Sequence, residues 1–350
     1  MDISTNKGWS MRWKIAVPAV LMAVSLLLTQ GNLAFAHEWW FVDEGTHAGE
    51  YHSFGLTNLL VVLGAAALVG LAVVFDRSGW SRKLDAFFEM AGRMVPRGIE
   101  WRGVAVLAGV MLIGNAVTGV YLAHNLVMPT SGLVLLGGIA QVAVGVLFIS
   151  QITFLLPGLL VLLVALPLAA FSFSPALLVD YVVELTALGL AFVFFGLAEG
   201  YVDRRLARRI GLDPSRYSHL PVPIIRIGVG VTLAILAFHN KLLNPDAALT
   251  FLDEYNFNFM PFLGFTGFTN LQFVFAAGVV EVTLALLLIS GIATRLSAAA
   301  IAGMLITTAA ILGPVELLGH LPLLGIAVLL VWKGAGQYRL ARPRPVKVPA

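Results

Sequence analysis

The chain has 350 residues, of which 59% are hydrophobic and only 12% charged, and its mean hydropathy is +0.90. A soluble domain cannot hide that much apolar surface, because a body of this size leaves too many of its residues at the boundary with water. The formal charge is +3 and cysteine is absent, which excludes disulfides, thiolate metal sites, cysteine-held iron–sulfur clusters and thiol catalysis.

Residues 1–36 read as a secretory signal. Lys7, Arg12 and Lys14 precede an apolar stretch from Ile15 to Leu28, and Ala34-Phe35-Ala36 supplies small residues for cleavage. An uncleaved signal anchor is the alternative. Either way the head, residues 37–54, containing HEWWFVDEGTHAGEYH, falls outside the cytoplasm. About 20 apolar residues in a helix cross a bilayer, and on that rule about nine spans follow. They lie near 55–75, 102–124, 131–151, 153–173, 175–198, 222–243, 268–290, 296–313 and 315–333. The expected fold is therefore an all-α, polytopic transmembrane bundle.

Charge supports this count. Arg77, Arg82, Lys83, Arg93, Arg97 and Arg102 fall in one inward loop, 76–101, or at its end; Arg204, Arg205, Arg208, Arg209 and Arg216 fall in the linker 200–221. Arg226 lies just inside the next span, Arg295 in the following inward turn, and Lys333, Arg339, Arg342, Arg344 and Lys347 at the C-terminal end, which includes the tail 335–350. Only Lys241 maps to the other side. Basic residues mark the cytoplasmic face, so the protein is expected in a bacterial-type inner membrane with its head outside and its C-terminus in the cytoplasm. The tail suits anionic lipid, and nucleic acid is not an expected partner. In 76–101, Leu84, Phe87, Phe88 and Met94 suit one face of an interfacial helix, with Trp80 and Trp101 at headgroup level.

The last eight spans read as two parallel four-helix units, 102–199 and 222–334, beyond the additional helix 55–75. QVAVGVLFIS at 141–150 parallels EVTLALLLIS at 281–290, SPALLVDY at 174–181 parallels GPVELLGH at 313–320, and GVYLAHN resembles AILAFHN.

Glu281 is the foremost candidate for chemistry, because a carboxylate near mid-bilayer costs several kcal/mol unless it is protonated, paired or turned to a polar cavity. It suggests a proton relay or a quinone or substrate ligand, and structurally an ion pair with Arg226. Gln141 occupies its place in the first unit. Arg226 otherwise snorkels to the inner interface. Glu184 forms a smaller cluster with Asp180 and Tyr181, and Asn115 is polar at mid-depth. His37, His47, His52, His124, His239 and His320 map outside, and only His219 inside. After cleavage His37 would head the mature chain, and its amine and ring nitrogens, with His47 or His52, would suit copper. His124, His239 and His320 could instead line the outer mouth for proton uptake. No histidine falls at mid-membrane, so no haem is expected in this chain. The stretch 245–268 is rich in phenylalanine and glycine, suited to an aromatic lid or an interfacial belt.

IIRIGVGVTLAILAFHNKLL, GVVEVTLALLLISGIATRLSAA and HLPLLGIAVLLVWKG, within residues 222–334, resemble the DoxX/DoxD family of four-helix membrane proteins. Arg226 to Gly228, His239-Asn240-Lys241, Glu281, Gly291 and Thr294-Arg295 carry the likeness, with a weaker echo in 102–199. The resemblance implies a quinone-linked redox role, since some members are described as subunits of thiosulfate:quinone oxidoreductase or of a terminal quinol oxidase. It implies quinone as cofactor and a redox partner subunit. Glu281, Arg226 and Glu184 are then the candidates for the chemistry, and His239, Lys241 and His124 for holding the cofactor. Two other readings stay open: metal handling by the exported head, and transport of protons or a small solute.

Overall fold

The computed structural model describes residues 47, 50–123, 126–128, 132–312 and 316–340. The signal, His37 and His124 lie outside these residues.

Apolar runs become helices, two of them with interior prolines (Pro157 and Pro167 in one, Pro322 in another), and caps set several of the ends. The described residues form α1 (Leu56–Arg77), α2 (Gly79–Gly92), α3 (Ile99–Val117), α4 (Gly132–Ser150) and α5 (Leu155–Ser172). They continue as α6 (Pro175–Glu199), α7 (Tyr201–Arg209), α8 (Pro221–Ala237, prolonged by a π-turn Phe238–Leu242) and α9 (Asp246–Tyr255). The last three are α10 (Asn270–Ser290), α11 (Thr294–Leu312) and α12 (Glu316–Lys333). A single isolated bridge, Val120–Val127, accompanies them. Ser78 caps α2 by accepting from the N–H groups of Trp80 and Ser81, and Thr269 with Gln272 forms a capping box on α10, which Gly291 closes at φ 76°.

Among the described residues, six helical segments are long and apolar enough to cross a membrane: α1, α3, α5, α6, α8 with the turn before it, and α10. Shorter apolar stretches, Leu136–Ser150, Thr294–Ala310 and Leu318–Lys333, lie in α4, α11 and α12. The protein is thus an integral membrane protein. Each expected span falls on one of these helices, with one difference at the second. The span expected over 102–124 ends as helix at Val117, and the chain folds back through Gly119 (φ 79°) and Leu122 (φ 58°). Gln141 holds this return: its Oε1 accepts from Leu122 N–H at 2.8 Å, and its Nε2 donates to Leu112 O at 2.8 Å and Val120 O at 3.2 Å. Asn115 donates to Leu122 O at 3.0 Å. Backbone at this depth is tolerated only when protein groups satisfy it, and these two side chains do so.

The helices form a ring. In the first half α3 packs on α4, α4 on α5 and α5 on α6; in the second, α8 packs on α10, α10 on α11 and α11 on α12. Contacts of α6 with α8, and of α12 with α3, close it. Both closing seams depend on a glycine. A Cβ on Gly228 of α8 would lie 2.1 Å from Ala187 Cβ of α6, and one on Gly325 of α12 would lie 2.8 Å from Leu107 Cδ1 of α3. Small residues let helix backbones approach closely where lipid offers no hydrophobic driving force. Outside the ring, α1 lies against α10 and exposes most of its apolar surface, as a lipid-facing helix should.

The end bearing the head and residues 244–269 is termed outer, following the charge pattern. At the inner end, charges serve helix termini. Asp203 of α7 is buried and accepts from Phe154 N–H (2.8 Å) and Leu155 N–H (3.1 Å), capping α5. Arg295 donates to Val331 O and Trp332 O at the end of α12 and lies 2.9 Å from Asp85 of α2. A helix, α2, forms in 76–101 as expected; of the face expected for it, Phe87 is exposed, Leu84 and Phe88 are half-buried, and Met94 lies beyond its end. Trp101 departs from the headgroup position expected for it: it is buried and stacks on Phe195, with ring centroids 5.3 Å apart.

Candidate functional site

Two polar clusters meet at the outer end, and the π-turn Phe238–Leu242 joins them. Such turns insert one extra residue into a helix and are frequent at functional sites. Residues two apart on a helical turn point in roughly opposite directions, so His239 and Lys241 serve different sides.

On one side, Lys241 Nζ lies 3.4 Å from Glu281 Oε2 of α10, with both side chains largely buried. Gly278, one turn before Glu281, permits this approach, since a Cβ there would come within 3.2 Å of Lys241 Cβ and 2.8 Å of Leu242 Cδ2. At 3.4 Å the attraction is about 5 kcal/mol for an effective dielectric constant near 20. Withdrawing each ion from water costs several kcal/mol. The two effects nearly cancel, so the pair contributes little net stability and its presence calls for another reason.

On the other side, His239 Nδ1 lies 3.0 Å from Asp180 Oδ1 of α6. Asp180, Tyr181 and Glu184 of α6, together with His320 of α12, face a cleft between the two halves of the ring. Its apolar wall is formed by Met111, Leu122, Leu185, Leu236 and Leu323, and its cavity volume is about 40 Å³.

A strap from the head covers this end. His47 N–H donates to Asp246 Oδ1 (2.5 Å), its Nε2 lies 2.8 Å from Asp253 Oδ2 of α9, and its Nδ1 lies 3.1 Å from Glu50 Oε1. Further along, His52 Nε2 donates to Lys241 O at 2.7 Å, and its ring meets Phe275 edge-on at 5.2 Å. In this arrangement the two described imidazoles of the head each hold the strap and do not converge on one point. Among the described residues no group of three or more His, Cys, Asp or Glu side chains could hold a metal ion.

The hydrogen bond to Glu50 chiefly raises the His47 pKa above 6.5; burial opposes it, and the hydrogen bond to Asp253 adds a smaller upward effect. A raised pKa means that protonation stabilises the strap: the contribution is full below about 6.5, the unfolded value, and fades as pH rises through the folded value. Amide exchange at His47, corrected for its intrinsic pH dependence, should therefore quicken between pH 6 and 8. In His47→Gln this pH dependence should vanish; retention of the wild-type profile would remove His47 as its source.

The candidate residues thus separate. Glu281 and Lys241 form one pair, Glu184 lines the cleft with His239 bonded to its Asp180, and Arg226 stands apart. Arg226 is buried at the inner end, about 22 Å along α8 from Lys241. Its guanidinium donates to Leu288 O, to Ile289 O at 3.0 Å and to Tyr338 O. It is a cation on the carbonyl end of α10, in place of the ion pair with Glu281. Asp180, as partner of His239, and Asp253, as anchor of the strap, gave little signal in sequence, because each acts across helices far apart in the chain.

The residues of the Lys241–Glu281 pair, with α8 and α10 that position them, fall within residues 222–314, which match the family model DoxX. This part of the chain is similar to the DoxX family. The matched stretch covers the second half of the ring up to the end of α11, and includes Arg226, His239, Gly278 and Gly291. No curated protein and no solved structure matches the chain.

Proposed function

We propose that the chain is a quinone-linked redox subunit of the membrane, in which the Lys241–Glu281 pair handles protons while a partner subunit supplies the electron chemistry. The observation that carries this reading is the placement of an ion pair with little net stabilising value inside the stretch similar to the DoxX family. Quinone chemistry needs a donor to a carbonyl oxygen and an acceptor for a hydroxyl proton, and an ammonium beside a carboxylate provides both. The cleft between the halves is not assigned to the quinone ring. At about 40 Å³ it is far below the several hundred Å³ of an organic ligand site. The like order of packing in α3 to α6 and in α8 to α12 supports a duplicated four-helix origin, in which Gln141 keeps the position as a neutral brace and Glu281 as an ionisable one.

Decylubiquinone reduction and decylubiquinol oxidation in membranes containing the chain and its native partners test the reading. Glu281→Gln should lower the rate roughly 100-fold, the scale of a lost proton-transfer group. An unchanged rate removes Glu281 from the mechanism, and a wild-type protein with no effect on either reaction sinks the quinone-linked role.

A further inference from the structure

We infer that Glu184 is a second proton-binding site, loaded from the outer side through His239 and Asp180 and separate from the Lys241–Glu281 pair. The route runs inward from an exposed imidazole through a buried carboxyl to a half-buried one. The His239 side chain is 45% exposed, and Asp180, at 3.0 Å from its Nδ1, is 10% exposed. Glu184 follows Asp180 by four residues, one turn deeper on the same face of α6 and about 6 Å along its axis.

Both carboxyl groups line the cleft. Its volume of about 40 Å³ holds roughly three or four waters, each occupying roughly 10–15 Å³ by this measure. A buried water also needs two to four polar partners, and Asp180, Tyr181, Glu184 and His320 surround the space. The lining residues from α3 and the adjoining loop, Met111, Leu122 and Ala123, are not titratable. The cleft thus excludes an organic ligand by size and admits water and its proton.

The step balances simply. His239 takes a proton from bulk water at one ring nitrogen and releases one from Nδ1 to Asp180, which passes it through cleft water to Glu184. Beyond Glu184 the wall is apolar, formed by Met111, Leu185, Leu236 and Leu323, so the site stores a proton without conducting it onward. The π-turn places this store back to back with Lys241–Glu281, and the assignment stands whether or not the quinone-linked role does.

Infrared difference spectroscopy of the full chain in phosphatidylcholine vesicles, after a pH jump in the outer medium, tests it. A carboxyl band that responds to pH and shifts in D₂O should be lost in Glu184→Gln and kept in Glu281→Gln. His239→Ala should slow its appearance at least ~10-fold, as expected when a proton-transfer group is removed. Glu184→Asp, which keeps the carboxyl, should keep a pH-sensitive band at a displaced frequency. A Glu184→Gln spectrum identical to wild type, an unaltered rate in His239→Ala, or no such band in Glu184→Asp would each overturn the proposal.

Discussion

Glu281→Leu is expected to cost about 3–5 kcal/mol of unfolding free energy, and adding Lys241→Met to it should return stability to within about 1 kcal/mol of wild type. The single change leaves a largely buried ammonium without the carboxylate 3.4 Å away. The double change replaces both ions by apolar groups, which removes the desolvation cost along with the attraction. Thermal or denaturant unfolding of the purified protein reads both outcomes. Under the proposed function the double variant should be as stable as wild type yet as slow as Glu281→Gln in quinone-linked turnover. That separates the pair's chemistry from its packing. A loss below about 1 kcal/mol for the single variant would mean that the Lys241 stem carries its head out to the interface, and that the pair is not held against an energetic cost.

The second large effect concerns the seam between the halves. Gly228→Leu should destabilise the bundle by about 3 kcal/mol or more, the upper range for overpacking, because even its Cβ would stand 2.1 Å from Ala187 Cβ. Neither atom belongs to a flexible side-chain end, so α6 and α8 must move apart. Gly228→Ala should cost less, and Ala187→Gly combined with Gly228→Ala should restore much of the loss by returning the missing space. Unfolding midpoints of the three variants decide it; a tolerated leucine would show that the seam is not close-packed.

Helix positions were legible because their signal is local. Leu56–Arg77 and Asn270–Ser290 are apolar over about the length a bilayer requires, with polar or glycine boundaries. The return at 118–127 was not legible, because Val120, Tyr121, Leu122 and Ala123 continue the apolar run and part of their backbone is satisfied by Gln141 on the next helix. Hydropathy cannot register a hydrogen bond supplied from another helix. The same reason governs the site. A lone glutamate in an apolar span marked Glu281, and Lys241 stood out as a cation on the wrong face, but their pairing depends on Gly278 and on a π-turn that no local pattern announces. Arg226 was read as snorkelling to the inner interface or as an ion-pair partner of Glu281; it does neither, because depth along α8 separates it from Glu281 and its buried guanidinium is held on backbone carbonyls at the end of α10.

Ring closure has a consequence for the linker between the halves. The two halves meet at the Gly228–Ala187 and Gly325–Leu107 seams, and Lys333 Nζ ties the end of α12 to Glu100 of α3 at 2.7 Å. Neither seam involves the connection from α7 to α8, whose Gly211 is exposed with φ 78°. Covalent continuity there sets the order of synthesis and not the cohesion of the bundle. A chain severed at Gly211 and expressed as two polypeptides retains every interhelical surface of the ring, and the fragments can find each other in the bilayer as two subunits of a heterodimer would.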